Sequence, residues 1–238
     1  IADMANKVPQ LTGDDVYLAK AGGLLLLVVF ALKSALLPLH LWLPNAYSSA
    51  TPVVAALFAI MTKVGVYATL RVYTVVFGEQ AGELEHMAQS WLWALAIATI
   101  VIGAIGVLAA QDLRKLTANL VLVSVGTLVA LVALQNINAT AALLYYLVHS
   151  TLVTAALFLL ADLIATQRGK AGDRLVGGRA VKQPFLLGAC FIIAGLTVIG
   201  MPPLSGFVGK IWILKTTLNS EQALVFWPVY LIMSLALI

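Results

Sequence analysis

Phe30-Ala31-Leu32-Lys33-Ser34-Ala35-Leu36-Leu37-Pro38-Leu39-His40-Leu41-Trp42-Leu43-Pro44 sets one lysine, one histidine and two prolines inside an otherwise apolar run. Upstream the run reaches back to about Ala21, so Ala21 to Leu43 matches the roughly 20 residues that cross the hydrocarbon core of a bilayer. Proline removes a backbone donor and clashes with the preceding turn, so Pro38 predicts a broken helix and Pro44 a second interruption. The pattern recurs at Gly200-Met201-Pro202-Pro203-Leu204-Ser205-Gly206-Phe207-Val208-Gly209-Lys210, where Pro202 and Pro203 interrupt a second apolar run. Unwound backbone at membrane depth is tolerated where it is buried in protein or lines a wet cavity. Discontinuous helices in corresponding places of two halves point to a transport site, and each break here has a lysine nearby. Ordinary proline kinks are the plainer reading.

The rest of the chain supports a membrane protein. Of its 238 residues, 62% are hydrophobic and only 10% charged, a balance outside that of soluble domains. Seven apolar segments are read: Ala21–Leu43, Pro52–Phe77, Ala88–Ala110, Leu113–Leu134, Ala139–Thr166, Pro184–Leu218 and one from Gln222 that ends at Ile238. Thr51 with Pro52 marks a helix start. The fold class is all-α, a polytopic transmembrane bundle; continuous rather than alternating apolar runs argue against a barrel. Residues 1–20 read as an extracytoplasmic polar segment and 21–238 as one membrane domain. The loops with Arg114 and Lys115, and with Arg168, Lys170, Arg174, Arg179 and Lys182, are basic; the one with Glu79, Glu83 and Glu85 is acidic. The positive-inside rule places both basic loops in the cytoplasm, and two spans separate them, as that requires. The net charge of +4 therefore does not indicate nucleic acid. Cys190, the one cysteine, reads as a small apolar residue. A start on Ile1 and truncated segments are expected of part of a longer, multisubunit protein.

Lys33, Lys63, His149 and Lys210 all fall within apolar segments. A charge near the bilayer centre costs about 3 kcal/mol or more, so four such groups point to a proton or ion path. At 1.5 Å per residue, Lys33 and Lys63 each lie roughly 17–18 Å into their segments. The bland alternatives are snorkelling lysines and a histidine that bonds a neighbouring helix. Tyr67 and Tyr145 stand four residues from Lys63 and His149, on the same helix faces, where they order water or simply pack. Histidine titrates near neutral pH, which suits proton hand-off through water.

The stretch from Phe30 to Ala46, together with Ala55-Ala56-Leu57-Phe58-Ala59-Ile60-Met61-Thr62-Lys63-Val64-Gly65-Val66-Tyr67, resembles the signature of antiporter-like membrane subunits. These include the proton-pumping subunits of respiratory complex I, membrane-bound hydrogenase subunits and the large subunits of Mrp-type antiporters. Asp112-Leu113-Arg114-Lys115-Leu116-Thr117-Ala118 resembles the family's cytoplasmic turn, and Gly200 to Lys210 its second broken helix. Within the family the texture of Leu39 to Val72 and His149-Ser150-Thr151 is most similar to the D-type component of Mrp antiporters. The resemblance implies an inverted-repeat fold, the first two segments closing one repeat and the last five forming the next. It implies a relay of Lys33, Lys63, His149 and Lys210, supported by His40, Tyr67 and Tyr145. Two departures follow: Val153 stands where many relatives carry a further lysine, and the family's essential glutamate would lie upstream of Ile1.

The expected function is that of a proton-conducting subunit of a multisubunit Na⁺/H⁺ antiporter in a bacterial plasma membrane, a transporter rather than an enzyme. Its partners would be other membrane subunits, the bilayer, Na⁺ and H⁺. The alternatives are a proton-pumping subunit of a redox-driven complex and an inert scaffold. The sequence carries no phosphate loop, metal-ligand spacing or cluster-binding cysteines, so neither cofactor nor metal is expected.

Overall fold

A computed structural model describes residues 1–218 and 220–236. Among the described residues ten α-helices follow one another: α1 (Ala2–Lys7), α2 (Asp14–Ser34), α3 (Trp42–Ser49), α4 (Pro52–Val75), α5 (Gln89–Ala109), α6 (Leu113–Leu134), α7 (Ile137–Arg168), α8 (Pro184–Ile199), α9 (Ser205–Thr217) and α10 (Ala223–Ala236). The described residues contain no strand, only an isolated bridge between Asp112 and Arg174. Five of these helices, α2, α4, α5, α6 and α7, are long and apolar enough to cross a membrane. The sixth predicted segment is the pair α8 and α9, and the seventh begins as α10; Leu237 and Ile238 lie outside the described residues.

α6 is the hub. Of its best apolar window 89% is buried, against 17% for α2, so α6 is the helix wrapped by the others and α2 stands at the edge. Its closest partner is α5. A Cβ on Gly126 would stand 2.9 Å from the Ala96 carbonyl and one on Gly103 2.9 Å from the Val123 nitrogen. Two glycines thus let the backbones touch, the usual device where lipid supplies no hydrophobic drive between helices. The turn from α6 to α7 is only Gln135-Asn136; Gln135 takes a left-handed φ of 50° and the Asn136 side chain caps α7 by accepting from the Ala139 N–H at 2.6 Å. Such a short turn forces antiparallel neighbours.

The two breaks are built alike. α2 ends on Ala35 at φ 57° and α8 ends on Gly200 at φ 83°, both left-handed caps. Three residues later each chain reaches a cis proline, Pro38 after Leu37 and Pro203 after Pro202, and a short helix follows. The freed backbone is satisfied inside the protein. The Leu36 N–H donates to the Ala31 carbonyl at 2.8 Å, and the Leu37 N–H donates to Thr99 Oγ1 of α5 at 3.0 Å.

Two sequence readings change and a third holds. The first membrane-crossing helix, α2, begins at Asp14, seven residues before the apolar run, so the polar segment of residues 1–20 contains α1 and the opening turns of α2. Asp14 and Asp15 favour that start because acidic groups suit a helix N-terminus. Pro44 makes no second interruption. It occupies the first turn of α3, where its missing N–H would have had no intrahelical partner. Thr51 does stand at the N-cap of α4 with Pro52 after it, but its side chain makes no capping hydrogen bond.

Candidate functional site

Lys63 lies on α4 and is 2% exposed. Its Nζ donates to Ser124 Oγ on the hub helix α6, and that hydroxyl donates in turn to the Val121 carbonyl at 2.8 Å. Ser124 thus stands between a buried ammonium and a helix carbonyl. Beside Lys63 a groove of ≈ 360 Å³ opens between α4 and α7, lined by Tyr67, Leu144, Val148 and Thr151 among others. Tyr67 shares this groove with Lys63 as the i,i+4 spacing requires, but it is 46% exposed and no hydrogen bond ties it to the lysine.

A second constellation lies about a quarter turn further round α7, at the positions next to Leu144 and Val148. His149 Nδ1 lies 3.1 Å from Ser205 Oγ, at the first residue of α9, with the donor set by the histidine tautomer. The Tyr145 hydroxyl donates to the Ser205 carbonyl at 3.1 Å. α7 therefore grips the start of α9 twice, once by side chain and once by backbone. Tyr145 does more here than stand beside His149: it fixes the edge of the break. Lys210, one and a half turns further along α9, is 9% exposed. Its Nζ donates to the Ile199 carbonyl at 2.8 Å and to Ser234 Oγ at 3.0 Å, and lies 5.9 Å from the Tyr230 ring centre. The Ile199 carbonyl belongs to the last turn of α8, the negative end of a helix dipole, which favours a cation there. Pro202 and Pro203 form the turn that this lysine spans.

Lys33 differs from the other three. It occupies the last turn of α2, its stem close to Gly65 on α4, but it is exposed at the edge of the bundle. Pro38 and His40 follow in the break. Among the described residues, Ser34 Oγ and His40 Nδ1 are buried there without a hydrogen-bond partner, as is Tyr230 OH beside the second break. Val153, the departure from the lysine pattern, packs against Val107, Leu120 and Leu157, so an ammonium would have no partner in that apolar cluster. No group of three metal-ligating side chains converges among the described residues.

Three residues escaped the sequence reading: Ser124, Ser205 and Thr99. Each is a hydroxyl on a helix other than that of its partner. Serine and threonine are frequent in membrane helices, and their spacing carries no signal of which one meets a lysine or a break.

Two constellations thus adjoin α7, one around Lys63 and one around His149 and Lys210, with a pair of broken helices of matching construction. The model of the family described as NADH:quinone oxidoreductase/Mrp antiporter, transmembrane, matches residues 4–235. The chain belongs to this family. Among relatives of this family member, the D component of a probable K⁺/H⁺ antiporter of Rhizobium meliloti (strain 1021) is 40% identical over 228 residues, covering 88% of this chain and 42% of the relative. The D component of the Na⁺/H⁺ antiporter of Bacillus subtilis (strain 168) is 36% identical over 211 residues, covering 88% and 41%. The chain therefore spans about two fifths of the length of these relatives. Among solved structures, the Mrp complex of Dietzia sp. DQ12-45-1b superposes with a TM-score of 0.78 at 28% identity, over 97% of this chain and 43% of that one. Respiratory complex I of Thermus thermophilus superposes with a TM-score of 0.77 at 28% identity, over 95% and 47%. The fold is thus the antiporter-like membrane bundle that the resemblance implied.

Proposed function

We propose that this chain is the proton-conducting half of a D-type subunit in a multisubunit monovalent cation/H⁺ antiporter of a bacterial plasma membrane. The observation that carries the reading is the buried Lys63, held between α4 and α6 by Ser124 with no counter-ion among the described residues. An ammonium kept without a carboxylate partner is retained for something other than stability, since burying an unpaired charge is costly. His149, next to Val148 of the Lys63 groove, and Lys210 are each tied to the broken helix. A proton passing Lys63 would reach them around one helix, and the unpartnered hydroxyls and ring nitrogen at the breaks suit water between. Lys33, exposed at the bundle edge, would meet a carboxylate outside the chain.

The relatives with 36–40% identity are named as components of K⁺/H⁺ and Na⁺/H⁺ antiporters, which favours antiport and supports either cation. Other membrane subunits would complete the assembly. A proton-pumping subunit of a redox-driven complex is the second reading, favoured by the superposition on complex I, which is as close as that on the Mrp complex.

The test is Na⁺- and K⁺-driven proton movement in vesicles holding the full-length protein with its partners. Lys63→Ala is expected to abolish antiport while the assembly still forms. Normal antiport by the variant would refute the relay; no cation-driven signal in the unaltered protein would favour the redox-driven complex.

A further inference from the structure

The end of the bundle that carries the basic loops holds a cavity of ≈ 350 Å³ built from three separate parts of the chain. Ser48 and Ser49 end α3, Asp112, Arg114 and Lys115 open α6, and Lys170 to Arg174 follow α7. Four cations and two carboxylates line it, a net excess of two positive charges. Arg114 is engaged with Asp162 at 3.0 Å and Asp173 at 3.9 Å, and Lys115 with Asp112 at 3.2 Å. Lys170 and Arg174 form no ion pair among the described residues, although both are exposed to this cavity.

The shape of the loop is set without any ligand. The Leu113 N–H donates to the Asp173 carbonyl at 2.9 Å and the Leu175 N–H to the Gln111 carbonyl at 2.8 Å, fastening the loop to the α5–α6 turn. Arg168 donates to the carbonyls of Gly172, Arg174 and Val176, which holds the curl from inside. A preorganised cup with two uncompensated cations is an anion site in chemical terms. Its position narrows the anion. The cup lies at the ends of membrane-crossing helices, the start of α6 and the finish of α7, and the residues after Arg174 are the exposed apolar Leu175 and Val176. A soluble anion has no use for exposed apolar neighbours, whereas a phospholipid brings a phosphate and a chain together.

We infer that this cup binds the phosphate of an anionic phospholipid headgroup, through Lys170 and Arg174 with Arg114 and Lys115 behind them. The inference requires only that the chain sits in a bilayer. Because the cup joins the end of α3, the start of α6 and the end of α7, a bound lipid would brace the first broken helix against the helices that carry Ser124 and His149.

The test uses the full-length protein in its native assembly, purified and stripped of lipid. Phosphatidylglycerol, phosphatidylcholine and inorganic phosphate are added separately while bound lipid is counted by native mass spectrometry and the unfolding midpoint is followed. Phosphatidylglycerol is expected to bind and raise the midpoint, and the other two to do neither. Each basic residue near an anionic surface contributes about fivefold in affinity, so Lys170→Gln with Arg174→Gln is expected to weaken phosphatidylglycerol binding about thirtyfold. Arg174→Lys, which keeps the charge, is expected to bind nearly as before and covers the case in which the double variant does not assemble. Unchanged phosphatidylglycerol binding in the double variant, or equal binding of phosphatidylcholine, would overturn the inference. Equal stabilisation by inorganic phosphate would make this a free-anion site. Protection of Lys170 from acylation only when neighbouring subunits are present, with no response to lipid, would make it a contact for an acidic protein segment. Either result overturns the lipid.

Discussion

Replacing Ser124 by alanine removes the hydroxyl that accepts from Lys63 Nζ and leaves an ammonium that is 2% exposed without a hydrogen-bond partner. Polar pairs between membrane helices contribute about 0.6 kcal/mol on average and up to about 1.7 kcal/mol. A charged donor lies at the upper end, because hydrogen bonds to ionised groups are worth roughly 1.5–3 kcal/mol and an unsatisfied buried one costs more than a neutral one. About 1.5 kcal/mol is therefore expected for the pair. Ser124→Ala alone also deletes the bond from Ser124 Oγ to the Val121 carbonyl, so the single variant overstates the interaction. A double-mutant cycle removes that excess. Lys63→Met keeps the volume and deletes the charge, and the Val121 bond is lost equally in both backgrounds. Unfolding of the full-length protein in mild detergent, followed by denaturant titration, gives the four stabilities. Ser124→Ala is expected to destabilise the unaltered protein by about 1.5 kcal/mol more than it destabilises the Lys63→Met protein. A coupling below about 0.3 kcal/mol would mean that Ser124 is not the partner of Lys63, and the α4–α6 arrangement would have to be abandoned.

Ser205→Ala should leave the Tyr145 bond to the Ser205 carbonyl in place, so α9 stays docked while His149 loses its neighbour; antiport in vesicles should fall severalfold with a displaced pH profile, and an unchanged profile would detach His149 from the path. Thr99→Val strips the acceptor from the Leu37 N–H at the first break and should cost about 1–3 kcal/mol in unfolding free energy, with Thr99→Ser restoring most of it. Gly126→Leu drives a side chain into the Ala96 carbonyl and Ile100, where α5 and α6 touch; the yield of folded protein on size-exclusion chromatography should collapse, whereas Gly188→Leu, at a site with open space, should be silent.

Where the chain crosses or breaks was open to reading in the residues themselves. α4 starts at Pro52 and α6 runs from Leu113 to Leu134, as the apolar runs and their flanks require. Both breaks fall at the prolines, because a missing N–H and a steric clash act within one turn and need no partner. The first membrane-crossing helix, α2, was the exception: Asp14 and Asp15 extend it beyond its apolar stretch, since a helix end can project past the hydrocarbon where water solvates its polar side chains.

Lys33 and Lys63 look alike in sequence, each a single lysine deep in an apolar segment, yet Lys33 is exposed at the edge and Lys63 is sealed against α6. Pro38 marks Lys33 as the one beside a break, but nothing local tells which of the two is buried. The difference comes from which helix becomes the hub, and that depends on the glycine contacts that bring α5 onto α6 and so fill the centre. Ser124, Ser205 and Thr99 acquire their meaning in the same way, from residues 61, 56 and 62 positions away. Hydrophobicity and proline act along the chain and can be read from it; a hydrogen bond between helices exists only once packing has set the distance between them.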